Sequence, residues 1–65
     1  MEPIRFTEDL EWVGPGDPEE FYGRSVDVYV IKNKPEITMY LDYNKNLLRA
    51  EDENGKDISK NYRII

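Results

Sequence analysis

The chain has 65 residues, with 14 Asp and Glu against 9 Lys and Arg, a formal charge of −5, and neither cysteine nor histidine. Those two absences exclude disulfide frameworks, thiol nucleophiles, Ser-His-Asp triads, imidazole bases and thiolate or imidazole zinc sites. One domain over residues 1–65 is the count this length supports, and a domain so small hides only about 60% of its unfolded surface, so every apolar side chain counts.

With 38% hydrophobic and 35% charged residues, the composition is that of a folded chain with a thin core. Such a core leaves no room for a large cofactor, and none is expected. The longest run of apolar or tyrosyl residues, Val28 to Ile31, falls far short of the roughly 20 needed to cross a bilayer. Met1-Glu2-Pro3 lacks the basic start and apolar stretch of a secretory signal, so the expected location is cytoplasmic, with no membrane partner.

A short strand over residues 2 to 6 is expected to pair with the end of the chain. Thr7-Glu8-Asp9-Leu10-Glu11-Trp12 reads as one helical turn behind a Thr cap or as a bent strand, broken by Gly14-Pro15-Gly16. Asp17-Pro18-Glu19-Glu20-Phe21-Tyr22-Gly23 is more definite, with Asp at the cap, Pro at the first position and Gly beyond the end, so a short helical turn is expected near 17–22.

From Arg24 onward, strand-like runs alternate with turn residues, as in an antiparallel meander. Val26, Val28 and Val30 share one face, and Ile37, Met39 and Leu41 share another. Joining those two faces pairs Val30 with Ile37, Val28 with Met39 and Val26 with Leu41, around a loop at Lys32-Asn33-Lys34-Pro35. A slip of one residue would invert the pleat. Asn44-Lys45-Asn46 makes a tight turn, its asparagines tolerating positive φ. Leu48 and Ala50 are the expected inward pair of the next strand, and Asn54-Gly55 marks a hairpin turn. The expected core is Phe6, Val26, Val28, Val30, Ile37, Met39, Leu41, Leu48, Ala50, Ile58 and Ile64.

This order of elements resembles the Src-homology-3 (SH3) barrel: strand, long loop, meander, one-turn segment, final strand. The closing stretch Gly55-Lys56-Asp57-Ile58-Ser59-Lys60-Asn61-Tyr62-Arg63-Ile64 is similar to that family's terminal Gly-x-Ile-Pro-x-Asn-Tyr-Val pattern, with Ser59 where the pattern has proline. The resemblance implies an all-β, mainly antiparallel fold, a small five-stranded SH3-like barrel with a long acidic irregular loop. It further implies that Asn61 and Tyr62 sit on a one-turn 3₁₀ segment beside a ligand groove, and that the carboxylates from Glu8 to Glu20 meet a ligand's Arg or Lys.

Charge supports an acidic interaction surface independently. Residues 1–23 hold seven carboxylates against Arg5 alone, whereas residues 24–65 are nearly balanced. Such a cluster attracts basic partners and repels phosphate backbones, although charge runs commonly serve only to solvate a surface. Trp12, Phe21, Tyr22 and Tyr62 line a groove beside it, or else Trp12 and Phe21 simply cap the open end of the barrel. The mixture of Tyr29, Tyr40, Lys32, Lys34, Lys45 and Arg49 has the chemistry of a nucleic-acid platform, against which the net charge argues. Asp52, Glu53, Asn54 and Asp57 offer oxygens for calcium, but their spacing fails the EF-hand pattern, and no metal site is expected. The pairs Glu8/Asp9 and Glu19/Glu20 lack the cleft that would separate their pKa values, so no enzymatic activity is expected.

The function expected from these observations is a small non-catalytic protein-interaction module, monomeric or weakly self-associating. It would bind a basic or proline-containing protein segment through Glu8, Asp9, Glu11, Trp12, Glu19, Glu20, Tyr22, Asn61 and Tyr62. The alternative is an acidic mimic of nucleic acid that inhibits or regulates a DNA- or RNA-handling enzyme, which needs its carboxylates on one continuous face.

Overall fold

Alternation of side chains produces strands through most of the chain. The computed structural model describes every residue from Met1 to Ile65 and is mostly β, with 51% of residues in strands and 17% helical. In chain order the elements are β1 (Glu2–Ile4), the single turn α1 (Phe6–Asp9), β2 (Leu10–Pro15), a 3₁₀ turn (Pro18–Phe21), β3 (Val26–Ile31), β4 (Lys34–Asp42), β5 (Leu47–Glu51), a second 3₁₀ turn (Ser59–Asn61) and β6 (Tyr62–Ile64). Strands β2-β3-β4-β5 form an antiparallel sheet in that order, and β1 pairs in parallel with β6. No helix is long and apolar enough to cross a membrane.

Residues 7–23 are not one irregular loop. Asp9 closes α1 by accepting a hydrogen bond from the Arg5 amide at 2.8 Å, so the cap comes from within the turn and not from Thr7. The chain then runs straight into β2, which continues through Gly14 and Pro15. Proline is tolerated there because β2 is an edge strand, where a missing N–H need not break a ladder. A bulge between Trp12 and Gly14 absorbs the irregularity.

Strand register differs by one residue from the expected pairing. Tyr29 lies opposite Met39, Asp27 opposite Leu41 and Val28 opposite Tyr40. Lys32-Asn33 makes a two-residue turn closed by Ile31 and Lys34, and the register jumps after it because Pro35 cannot donate to the ladder. The core face of β3 therefore carries Tyr29 and Ile31 and not the valines. Val28 and Val30 are half-buried on the opposite face, while Val26 is buried beneath Gly16, where an added Cβ would meet Val26 Cγ1 at 3.2 Å. Larger side chains fill the core in exchange, and Phe6 packs edge-on against Tyr29 at 5.2 Å between ring centroids.

The core itself unites Ile31, Ile37, Met39, Leu41 and Ala50 of the sheet with Ile4, Leu10 and Tyr62 from the elements packed over it. Phe6, Ile58 and Ile64 are only partly buried at its margin. Ala50 points inward as expected, but Leu48 does not. A bulge between Tyr40/Arg49 and Leu41/Leu47 places two residues of β5 against one of β4, so Leu47 packs on the core and Leu48 turns to the other face.

Polar turns fix the remaining connections. In the β4–β5 turn the positive φ of 65° belongs to Lys45, not to an asparagine. The asparagines act as donors instead: the Asn44 and Asn46 amides each reach Asp42 Oδ1 at 2.9 Å, and Asn46 Nδ2 reaches Oδ2 at 3.2 Å. Gly55, at φ 80°, forms the expected turn with Asn54, and Asp52 accepts the Asn54 and Lys56 amides at 2.9 and 3.0 Å. The Asp52 carboxylate considered for calcium is thus committed to the turn.

Candidate functional site

The face of the sheet turned away from the core carries Val28, Val30, Thr38, Tyr40, Arg49 and Glu51, an assignment that follows from the pairing of Val28 with Tyr40, Val30 with Thr38 and Tyr40 with Arg49. Tyr40, Arg49 and Glu51 are bonded to one another on this face. Tyr40 donates its hydroxyl to Glu51 Oε1 at 2.9 Å, and Arg49 Nε donates to Glu51 Oε2 at 2.8 Å. Arg49 Nη2 also reaches the Gly55 carbonyl at 3.1 Å, and its Nη1 lies 3.8 Å from Asp57. Burial, the hydrogen bond to Glu51 and the charges of Glu51 and Glu20 push the Tyr40 phenol above its ordinary pKa. The hydrogen bond to Glu51 raises the Arg49 pKa further, so the guanidinium stays charged.

The segment from Gly16 to Ser25 crosses this face and makes the wall of a cleft. Asp17 begins it as anticipated, accepting the Glu19 amide at 2.9 Å with Pro18 at the first position of the turn. The turn ends with Tyr22 at φ 57° and Gly23 at φ 80°. That reversal lets Arg24 reach Asp42 Oδ2 at 2.8 Å, which ties the segment to the end of β4. Asp42 is 8% exposed, and its pKa is held below the ordinary value, first by the Asn46 amide, then by the Asn46 side chain, the Asn44 amide and Arg24.

Phe21 lies over Tyr40, with ring centroids 5.2 Å apart and planes tilted by 36°. Around that pair, Glu20, Phe21, Tyr22, Tyr40, Leu48, Arg49 and Glu51 line an open cleft of about 510 Å³. Three aromatic rings and a leucine supply apolar contact. Glu20 supplies a carboxylate free of intramolecular ion pairs, whereas the positive charge of Arg49 is already balanced by Glu51 and Asp57.

Only part of the sequence-derived site converges here. Glu20 and Tyr22 line the cleft, and Glu19 lies on the same turn. Glu8 pairs with Arg5 at 3.0 Å, and Asp9 is used in closing α1, so both stand before β2 while Glu19 and Glu20 follow it. Glu11 projects from β2 opposite Val30. The carboxylates therefore form two groups separated by a strand of six residues, about 20 Å long. Trp12 is exposed on β2, its indole N–H 3.4 Å from Asp27 Oδ1, and does not join the cleft. Asn61 is exposed on the second 3₁₀ turn.

Tyr62 requires a correction. It is only 8% exposed and belongs to the core cluster, so it is no surface contact. Being the first residue of β6, which pairs with β1 through Glu2, it is placed by a parallel ladder that a local motif does not encode. Tyr29 and Tyr40, read together as one basic-aromatic platform, fall on opposite faces of the sheet. Conversely, Tyr40, Leu48, Arg49 and Glu51 line the cleft with Glu20 and Tyr22, a grouping that no local motif encodes. Their only sequence signal is that Tyr40 and Arg49 occupy outward positions of adjoining strands.

No family model, no curated protein sequence and no solved structure matches this chain, so the site's chemistry alone must carry the functional reading.

Proposed function

We propose that the protein is a non-catalytic interaction module that binds a basic or proline-containing extended segment of a partner protein in the cleft between the Pro18–Phe21 turn and the outer face of the sheet. The observation that carries this reading is the convergence of Phe21, Tyr22 and Tyr40 with the unpaired Glu20 in one open depression. Tyrosine and phenylalanine rings give proline flat apolar surfaces to lie on, and an extended proline segment loses little entropy on docking. A ligand cation gains from the same rings and from Glu20. The order of elements, a meander followed by a one-turn 3₁₀ segment and a final strand, supports reading the domain as a small SH3-like barrel. The contact surface proposed here is nevertheless the cleft and not the Asn61–Tyr62 corner.

A non-catalytic role accords with the use made of the perturbed carboxylates. Asp42 and Asp57 have lowered pKa values because turn amides and side chains bond to them, which are structural duties. The test is a titration of isotope-labelled protein with arginine- and proline-containing peptides, with an acidic peptide as control. Amide shifts are expected to cluster at Glu20–Tyr22, Tyr40 and Leu48–Glu51, and affinity is expected to fall with salt because exposed charges are screened beyond about 8 Å at physiological ionic strength. Glu20→Lys is expected to weaken binding by about fivefold or more, the equivalent of roughly 1 kcal/mol. Shifts confined to other surfaces, or affinity unchanged in Glu20→Lys, refute the assignment.

A further inference from the structure

The two edges of the four-stranded sheet are finished differently. Beyond β5 the chain folds back, with a bridge between Glu51 and Asp57 and the Ile58 amide donating to the Ala50 carbonyl at 2.7 Å. Beyond β2 no strand follows. The Lys32 amide donates to the Asp9 carbonyl at 2.9 Å, and the Gly16 amide donates to the Val26 carbonyl at 2.7 Å, so residues 9 and 16 face β3. Alternation along an antiparallel ladder then turns the N–H and C=O of Trp12 away from β3 and out of the sheet. Trp12 and Val13 are each 59% exposed, a large apolar surface beside unpaired backbone.

We infer that the open edge of β2, centred on Trp12, is a second docking surface that takes an extended basic strand from a partner protein. The charge around it selects the occupant. Glu11 lies within the strand and Asp27 stands beside Trp12 on β3, whereas at the start of the strand Glu8 is already paired with Arg5 at 3.0 Å and Asp9 neighbours Lys32, whose amide donates to the Asp9 carbonyl. A second copy of this chain would bring the same carboxylates against these, so self-pairing is opposed by like charge. A strand bearing Lys or Arg gains backbone hydrogen bonds from Trp12, apolar contact from Trp12 and Val13, and charge pairing from Glu11. The bulge at Val13 and the missing N–H of Pro15 end the usable edge, which makes the added ladder short and dependent on charge. This surface is separate from the cleft, and either stands if the other falls.

The experiment uses the full chain and two synthetic probes of equal charge: a strand-forming peptide alternating lysine and valine, and the same peptide with proline at alternate valines. Amide hydrogen exchange at Trp12 is expected to slow by about tenfold with the first peptide and to stay unchanged with the second, because proline removes the donors that an added strand needs. The emission of Trp12, the chain's one tryptophan, should shift with the first peptide only. Glu11→Lys is expected to weaken that binding by about fivefold while its spectrum otherwise keeps the native pattern. Equal effects from both peptides would mean plain charge attraction and overturn the inference. So would unchanged exchange at Trp12, or protection at Trp12 that rises with protein concentration in the absence of peptide.

Discussion

The two faces of the β2–β5 sheet are built from one set of strands, yet they are covered differently. On one face Met39, Leu41 and Ala50 are fully buried with Ile31 and Ile37, and the polar side chains of that face, Asp27 and Tyr29, are only partly buried. On the other, the alternate residues Tyr40, Arg49 and Glu51 form a bonded polar network under the Pro18–Phe21 turn, and a cleft remains open between them. A thin domain needs one face to hold the fold, and the pleat leaves the other only partly covered, where the proposed binding cleft lies. Stability and the proposed binding are therefore expected to respond to different residues of one sheet.

Leu41→Ala against Val28→Ala is the sharpest test of that division. Leu41 is fully buried, so its truncation is expected to cost about 2–5 kcal/mol, enough to unfold much of so small a domain. Val28, half-buried on the other face, is expected to cost about 1 kcal/mol or less. Urea unfolding followed by far-ultraviolet circular dichroism measures both, and equal losses would mean that the two faces share the burden of the core.

Acid should act through the Asp42 turn. Its pKa is lowered in the folded state, so the stability it contributes is present at neutral pH and is lost as pH falls through the ordinary carboxylate range towards the lowered value. Asp57 shifts in the same direction, chiefly through the Ser59 amide, and adds to the acid limb. Asp42→Asn is expected to lower the melting temperature at neutral pH and to flatten its acid dependence. An unchanged acid limb would show that Arg24 and the turn amides do not hold the segment over the cleft through Asp42.

Tyr22 should give the smallest effect on stability and a large one on binding. It is 99% exposed and adopts a left-handed backbone with φ 57°, which costs a tyrosine about 1 kcal/mol that no contact of its own side chain repays. Tyr22→Gly is expected to leave stability unchanged or to raise it by up to about 1 kcal/mol, while binding of the proline- and arginine-containing peptides drops. Thermal melts and the same peptide titration measure the two sides. A marked loss of stability would show that Tyr22 is structural and that the outer face is not spared for recognition.

The features legible in the sequence are local ones. Asp17 followed by Pro18 produces the capped turn, Asn54-Gly55 produces its hairpin turn, and Met39, Leu41 and Ala50 point inward together. The features that are not legible there depend on pairings between distant residues. A valine run alternates as well as the Tyr29/Ile31 run beside it, and the choice between them rests on the jump after Pro35. The bulge that turns Leu48 outward arises from the tight Asp42–Asn46 turn meeting β4. Of the proposed site, Glu20 and Tyr22 were visible because they lie in one motif, whereas Tyr40, Arg49 and Glu51 join them only across strands.

By itself, then, the sequence determined that this is a small β-rich domain with its excess negative charge in the first third, since side-chain periodicity and composition are properties of the chain alone. Tertiary structure decided which of two alternating sets became core, that Tyr62 is buried, and that an aromatic cleft forms beside Glu20. The physical reason is the two-residue period of the pleat. One residue of register between β3 and β4, beside the jump at Pro35, exchanges the inward side chains of β3 for their outward neighbours, and the β4–β5 bulge does the same for Leu47 and Leu48.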